Sequence, residues 1–334
     1  MAVIAHRGRS LRSLIVLWFV RIVMKTIFRL FPLSDRTLPL LRAAEPYLSR
    51  VPQSVRGVRI DEITLGGVPT ERIVPEGEAD PHPRAALVYF HGGAFIGCNL
   101  DTHRRIAALL ARGLRVPVYN VEYRQYPYGG VGTSVADGFA AYRELLDSGE
   151  FDRIVVAGDS AGGFVCAKVI QYAAEAGIAQ PTAFAGFSPF LDISATLPRT
   201  SRHDAMLPLA KIRKLRTVLG RGPEDLRGPE DMTTDATAAD FPPTILFAAH
   251  REALMLDSLE LHASLDRAGV RNEVHVYDGQ VHAFVVGAGL TPESWDAYKV
   301  AVSFLSDRLT EAEELSASAV EPHASAREQQ HAAS

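Results

Sequence analysis

One serine in this chain sits between two glycines at the end of an apolar run: Ile154 to Gly163 reads IVVAGDSAGG. Glycine stands two positions before Ser160 and two after it. Gly and Ser are ordinary turn residues, so a plain turn is one reading. The chemical reading is sharper. In G-x-S-x-G between a strand and a helix, a tight turn lifts the serine oxygen above the sheet edge, where it can act as a nucleophile. A side chain at Gly158 or Gly162 would collide with the neighbouring helix or strand. A nucleophilic serine also needs a cradle for the oxyanion, a general base, and a carboxylate that orients the base.

Candidates for all three are present. After the apolar run AALVYF (85–90) comes His91-Gly92-Gly93-Ala94-Phe95. Two residues without side chains let backbone N–H groups approach a developing negative charge. The same glycines also suit an ordinary turn after a strand. Among eleven histidines, His282 stands apart: in DGQVHAF it follows the last strand-like run and precedes a helical pattern. His250 is nearer the end of its own strand, and His6, His82, His323 and His331 lie in segments read as too mobile to hold a catalytic geometry. With chain order Ser, acid, His, the acid should follow the strand PTILFAA (243–249). Glu252 and Asp257 compete there. Position in the turn favours Glu252, and Asp257 fits a helix-start charge.

These residues need a scaffold, and short β-rich runs supply it. VRIDEITL (58–65) and TERIV (70–74) flank Gly66-Gly67 as a hairpin. Further runs at 85–90, 116–121, 153–157, 182–187, 243–249 and 272–278 are mostly continuous and apolar, as buried parallel strands require. Helical patterns fill the gaps near 101–114, 133–148, 160–176, 257–268 and 291–310. The alternation predicts an α/β protein with a mostly parallel sheet of about eight strands. The segment 192–240 is polar and Pro-punctuated, and reads as an insertion. Residues 311–334 lack periodicity and read as a disordered tail.

At the other end, residues 11–31 are apolar but interrupted by Arg21, Lys25 and Arg29, which form a basic stripe on a helix. The uncharged run Ser13–Val20 is far too short to span a bilayer, which takes about 20 residues, and no small-residue cleavage site follows it. The segment fits a packed amphipathic helix, or peripheral contact with a membrane through Trp18 and Phe19. The net charge of −4 gives no nucleic-acid footprint. Cys98 and Cys166 show neither disulfide framework nor metal spacing, which fits a reducing, cytoplasmic setting. No H-E-x-x-H appears, and Gly129-Gly130-Val131-Gly132 lacks dinucleotide-binding spacing.

Taken together, HGGAF, Tyr123-Arg124 with Pro127 and Asp137, GDSAGG, SPFLD (188–192) and DGQVHAF resemble, in order and type, the hormone-sensitive-lipase-like esterases. The resemblance covers about residues 58–310. It implies an α/β-hydrolase fold and cleavage of carboxylic esters with no metal or organic cofactor. It also implies Ser160 as nucleophile, His282 as base and Glu252 as acid, since Glu252-Ala253-Leu254 replaces the usual D-P-L. The amides of Gly93, Ala94 and Ala161 become the oxyanion hole, with Gly92 in support. A cap is implied from residues 1–57 and 192–240. Phe95, Phe31, Phe190 and Phe284 are candidate pocket aromatics. A lactone, an acetylated natural product or an amide remains an alternative substrate. A ligand-binding relative without catalysis is disfavoured by the intact Ser160, Glu252 and His282. Two departures stand out: Ala94 replaces a glycine, and GGVGTSV (129–135) replaces a proline-bearing loop, so that loop is expected to be reshaped.

Overall fold

The computed structural model describes residues 3–32, 34, 36–38, 43, 55–77, 81–194, 196–200, 202–210, 213 and 222–331. Parts of both expected cap segments, including 44–54 and 214–221, lie outside the described residues.

Nine strands form one sheet. They are β1 (Val3–His6), β2 (Val58–Leu65), β3 (Val68–Pro75), β4 (Ala85–Phe90), β5 (Val118–Val121), β6 (Arg153–Asp159), β7 (Phe184–Phe187), β8 (Thr244–Ala249) and β9 (Asn272–Tyr277). Their spatial order is β1-β9-β8-β7-β6-β4-β5-β3-β2. Only β2·β3 and β3·β5 pair antiparallel. Every residue of β4, β6 and β8 is buried, which explains their unbroken apolar sequence. Two strands start later than the apolar runs suggest, because Pro117 and Pro243 have no N–H to donate. Their carbonyls still accept from Leu87 and Phe184, each at 3.0 Å.

A ninth strand extends the expected sheet of about eight. Val3–His6 joins the edge in parallel with β9, pairing Val3 with Val274 and His6 with Tyr277. Three of its four residues are exposed, so no burial pattern marks it in the sequence. Its hold comes from backbone pairing, the His6 ring stacked 3.9 Å from Tyr277, and a 3.0 Å His6–His275 hydrogen bond.

Helices cover both faces. On one lie α3 (Leu100–Leu114) and α8 (Pro292–His331), whose Ile106, Leu110, Tyr298 and Leu305 form one core. On the other lie α4 (Val131–Asp147), α5 (Ala161–Ala176), α6 (Asp235–Ala238) and α7 (Met255–Arg267), with Tyr142, Phe164 and Leu261 in the second core. At the N-terminus, α1 (Leu11–Phe19), a π turn (Val20–Met24) and α2 (Lys25–Leu30) form one run. Helix α8 continues to His331 across residues the composition assigns to a disordered tail. Ala and Glu are strong helix formers even without an apolar face, and Glu313 still reaches Arg153 at 3.1 Å.

The chain leaves β4 toward β5 and leaves β6 toward β7, so strand order reverses between β4 and β6. Crevices at such a reversal, beyond the carboxyl ends of the strands, are where α/β sheets bind ligands.

Candidate active site

Ser160 follows β6 directly and has φ 49° and ψ −118°, a strained conformation for a residue with a side chain. The glycines around it are required by contact. A Cβ on Gly162 would lie 1.9 Å from the Phe90 carbonyl oxygen, and one on Gly158 would lie 2.7 Å from the Gly162 backbone. Strand β4 therefore presses against the turn. The Ser160 N–H donates to Phe187 O at 3.1 Å and its carbonyl accepts from Phe190 N at 2.8 Å, which holds the turn to β7. Ala161 begins α5, so its N–H has no intrahelical partner.

The loop after β4 faces this turn. Gly93 adopts φ 121°, and a Cβ there would lie 1.8 Å from Gly97 O. Ala94 has φ 56°, a left-handed conformation that costs an alanine roughly 1–2 kcal/mol. That is the price of placing alanine where glycine is usual. Gly92 is a correction: its N–H donates to Asp159 Oδ1 at 2.9 Å, so it is committed and not available to an oxyanion.

Asp159 is a residue the sequence reading passed over, although it stands beside Ser160. Its buried carboxylate accepts from Tyr89 Oη at 2.8 Å and Gly92 N at 2.9 Å, and pairs with His103 Nε2 at 3.2 Å. Burial pushes its pKa up, but the His103 charge and the hydrogen bonds outweigh this and hold it below the ordinary value. Asp159 thus ties the glycine loop to the serine turn. The signal was its adjacency to the motif, but its three partners are distant in sequence.

His282 and Glu252 meet. Glu252 Oε2 lies 2.7 Å from His282 Nδ1, and Glu252 Oε1 accepts from Ala249 N at 2.9 Å. Both side chains are buried. Burial lowers the His282 pKa, and the Glu252 hydrogen bond and charge, aided by Asp204 and Asp159, overcome it to raise the imidazole above 6.5. Asp257 faces elsewhere. Its Oδ1 accepts from Leu191 N at 2.9 Å and Asp192 N at 3.0 Å, and its Oδ2 accepts from Arg199 Nε at 2.7 Å. Asp257 does stand in the first turn of α7, as expected, and it also fastens the start of the insertion.

Ser160 and His282 line one largely apolar cavity of about 620 Å³, together with Gly93, Ala94 and His103. Phe31 and Phe284 are also in its wall. Phe95 and Phe190 are corrections. Phe95 is fully buried, edge-on to Phe164 at 6.2 Å, and Phe190 is covered by the Arg199 guanidinium at 5.2 Å. Adjacency to a motif suggests the pocket, but packing puts both in the core. Among the described residues no cluster of His, Cys, Asp or Glu could hold a metal ion.

A family model for the α/β-hydrolase fold matches residues 87–286, which contain the whole constellation. The chain belongs to the α/β-hydrolases, in their hormone-sensitive-lipase-like branch. It is 34% identical over 224 residues to Esterase LipU of Mycobacterium tuberculosis, covering 63% of this chain and 74% of that one. It is 30% identical over 308 residues to the Carboxylesterase/phospholipase LipF of the same organism, covering 84% and 81%. Among solved structures, a hormone-sensitive lipase from a metagenome library superimposes with a TM-score of 0.77 at 26% identity, covering 89% of this chain and 98% of that one.

In this α/β-hydrolase the cavity roof comes from two distant segments. Val16, Met24, Ile27 and Phe28 of the N-terminal run meet Met206, Leu207 and Pro208 of the insertion. Asp204 joins them to the base below. It accepts from Met206 N at 2.6 Å, Leu207 N at 2.7 Å and Ala253 N at 2.6 Å, the last beside Glu252. Lys25 Nζ donates to the Asp204 carbonyl at 2.5 Å. The stretch 129–135 of this α/β-hydrolase enters α4 at Val131, and a Cβ on Gly132 would lie 2.2 Å from Glu224 O. The glycine run lets the backbone of the insertion rest directly on α4.

Proposed function

We propose that the protein is a serine esterase that cleaves carboxylic esters of short to medium acyl chain. The observation that carries this is the buried Glu252–His282 pair, sharing a cavity wall with Ser160. His282 accepts the Ser160 proton at Nε2 as Oγ attacks the ester carbonyl, and Glu252 fixes the tautomer and stabilises the imidazolium. The amides of Gly93, Ala94 and Ala161 hold the oxyanion, each donor being worth about 3–4 kcal/mol. The alcohol leaves with the proton from His282, and water then releases the acyl group by the same route. The names of the mycobacterial relatives support ester cleavage. A roof over a cavity of about 620 Å³ supports a limit on acyl length. We place the enzyme in the cytoplasm, where its two free thiols, Cys98 and Cys166, stay reduced.

The test is a panel of p-nitrophenyl esters of increasing chain length, beside lactones and amides, with wild type and Ser160→Ala. Wild type should favour short to medium esters, and Ser160→Ala should lose roughly 10⁶-fold in kcat with an unchanged circular dichroism spectrum. Full turnover by Ser160→Ala, or preference for long-chain emulsions, would overturn the reading.

A further inference from the structure

The N-terminal helical run has two apolar sides, and the cavity uses only one. Val16, Met24, Phe28 and Phe31 face the cavity. Ser13 is buried, and Ser10 Oγ donates to Glu293 at 2.9 Å, which fastens the run to α8. The other side carries Leu11, Ile15, Trp18, Phe19, Ile22 and Leu30, at helical spacings. Leu11 and Leu30 are each 74% exposed, Ile22 63% and Trp18 57%. Contiguous exposed apolar surface of this kind marks an interaction site. It continues to the cavity mouth, where Ile27 and Leu290 line the cavity and are themselves exposed.

The charge on this segment selects the partner. Residues 1–34 hold five arginines and one lysine and no Asp or Glu, although the whole chain carries −4. Arg12, Arg21 and Arg29 are interleaved with the exposed apolar residues, and the Arg21 guanidinium lies 5.7 Å from the Trp18 ring centre. A second copy of the chain would bring like charges together, because a two-fold contact opposes the same patch to itself. An anionic lipid surface satisfies both features: apolar side chains enter the acyl boundary while guanidinium groups meet lipid phosphates. No helix of the described residues is long and apolar enough to cross a membrane, so the run lies along the surface.

We propose that this face docks the protein on an anionic bilayer, with the cavity mouth turned to the lipid so that membrane-partitioned esters enter from it. The entry of esters rests on the esterase reading; the docking does not.

The test is co-sedimentation of the full chain, as Ser160→Ala, with phosphatidylcholine vesicles with and without phosphatidylglycerol. Binding should require phosphatidylglycerol and weaken as salt shortens the screening length. Arg12→Gln and Arg29→Gln should each weaken it roughly fivefold. Trp18→Ser with Ile22→Ser should abolish it, while the same pair in an otherwise wild-type protein leaves p-nitrophenyl acetate turnover unchanged. With Trp295→Phe, Trp18 is the remaining tryptophan of two, and its emission should shift to the blue on binding. The docking is overturned if phosphatidylglycerol vesicles are not bound, if neutral vesicles bind equally, or if binding survives the Trp18/Ile22 change. It is also overturned if the protein forms a dimer that those changes dissolve. If docking holds but vesicles do not raise turnover of a membrane-partitioned ester by active enzyme, only the entry route fails.

Discussion

The floor and the roof of the cavity are built by different physics. The floor residues sit where β4, β6, β8 and β9 end, or just beyond. The three of those strands that are central, β4, β6 and β8, are buried along their full length. The turn at Ser160 is squeezed by backbone on two sides, and no side-chain choice beyond glycine is tolerated there. The roof is attached by a few separable polar anchors: Lys25 on Asp204, Asp204 on the Ala253 amide, and Asp257 with Arg199. Chemistry that needs sub-ångström placement is set on rigid elements. The parts that admit and select substrate hang from contacts that can be broken one at a time.

The sharpest way to separate the two regions is to change the two competing carboxylates, Glu252 in the turn after β8 and Asp257 in the first turn of α7. Glu252→Gln strikes the floor. It should lower kcat by about 10⁴, with little change in the denaturation midpoint, because the amide keeps the shape but not the charge. Asp257→Ala strikes the roof. Arg199, whose side chain is 2% exposed, loses its nearer carboxylate and keeps Asp192, at 3.6 Å, at a cost of up to about 3–5 kcal/mol of stability by urea denaturation. The folded fraction should keep far more activity than Glu252→Gln. If Asp257→Ala is the less active protein per folded molecule, the assignment of the acid is wrong.

The pH profile reads chiefly the floor, with a smaller contribution from Asp204 of the roof. His282 must be neutral to accept a proton, and Glu252 raises its pKa above 6.5. kcat/KM should therefore rise with pH through a value above 6.5. In residual Glu252→Gln activity that limb should move down, since burial then acts with less opposition; a limb that stays in place would detach Glu252 from His282. For stability the sign is reversed. A raised folded pKa contributes stability below 6.5, which is lost as pH climbs through the folded value.

Lys25→Met is the mildest change. It removes one charge-assisted hydrogen bond between the two roof segments, a contact worth about 1.5–3 kcal/mol when buried and less here, where Lys25 is only half-buried. KM for small esters should rise by about tenfold at most, with kcat nearly unchanged. An equal fall in kcat would mean that the roof also positions the floor, through Asp204 and Ala253.

Much of the floor was legible because its requirements are local. G-x-S-x-G, HGGAF and the His and Glu just after strands are set by turn geometry and by chain order, which leave their mark as residue type and spacing. The buried strands were legible as unbroken apolar runs. By itself the sequence determined the α/β order of elements and which serine, histidine and carboxylate to bring together. What it could not carry is anything decided by partners far along the chain. The exposed edge strand Val3–His6 has no pattern of its own and exists by pairing with β9. Gly92 reads like any oxyanion glycine until Asp159 takes its amide. Phe95 and Phe190 are indistinguishable in sequence from Phe31 and Phe284, and only packing keeps the first two out of the cavity wall and brings the second two to it, Phe284 while still buried. Burial and hydrogen-bond commitment are properties of the assembled surroundings of a side chain, so the tertiary structure alone decided them.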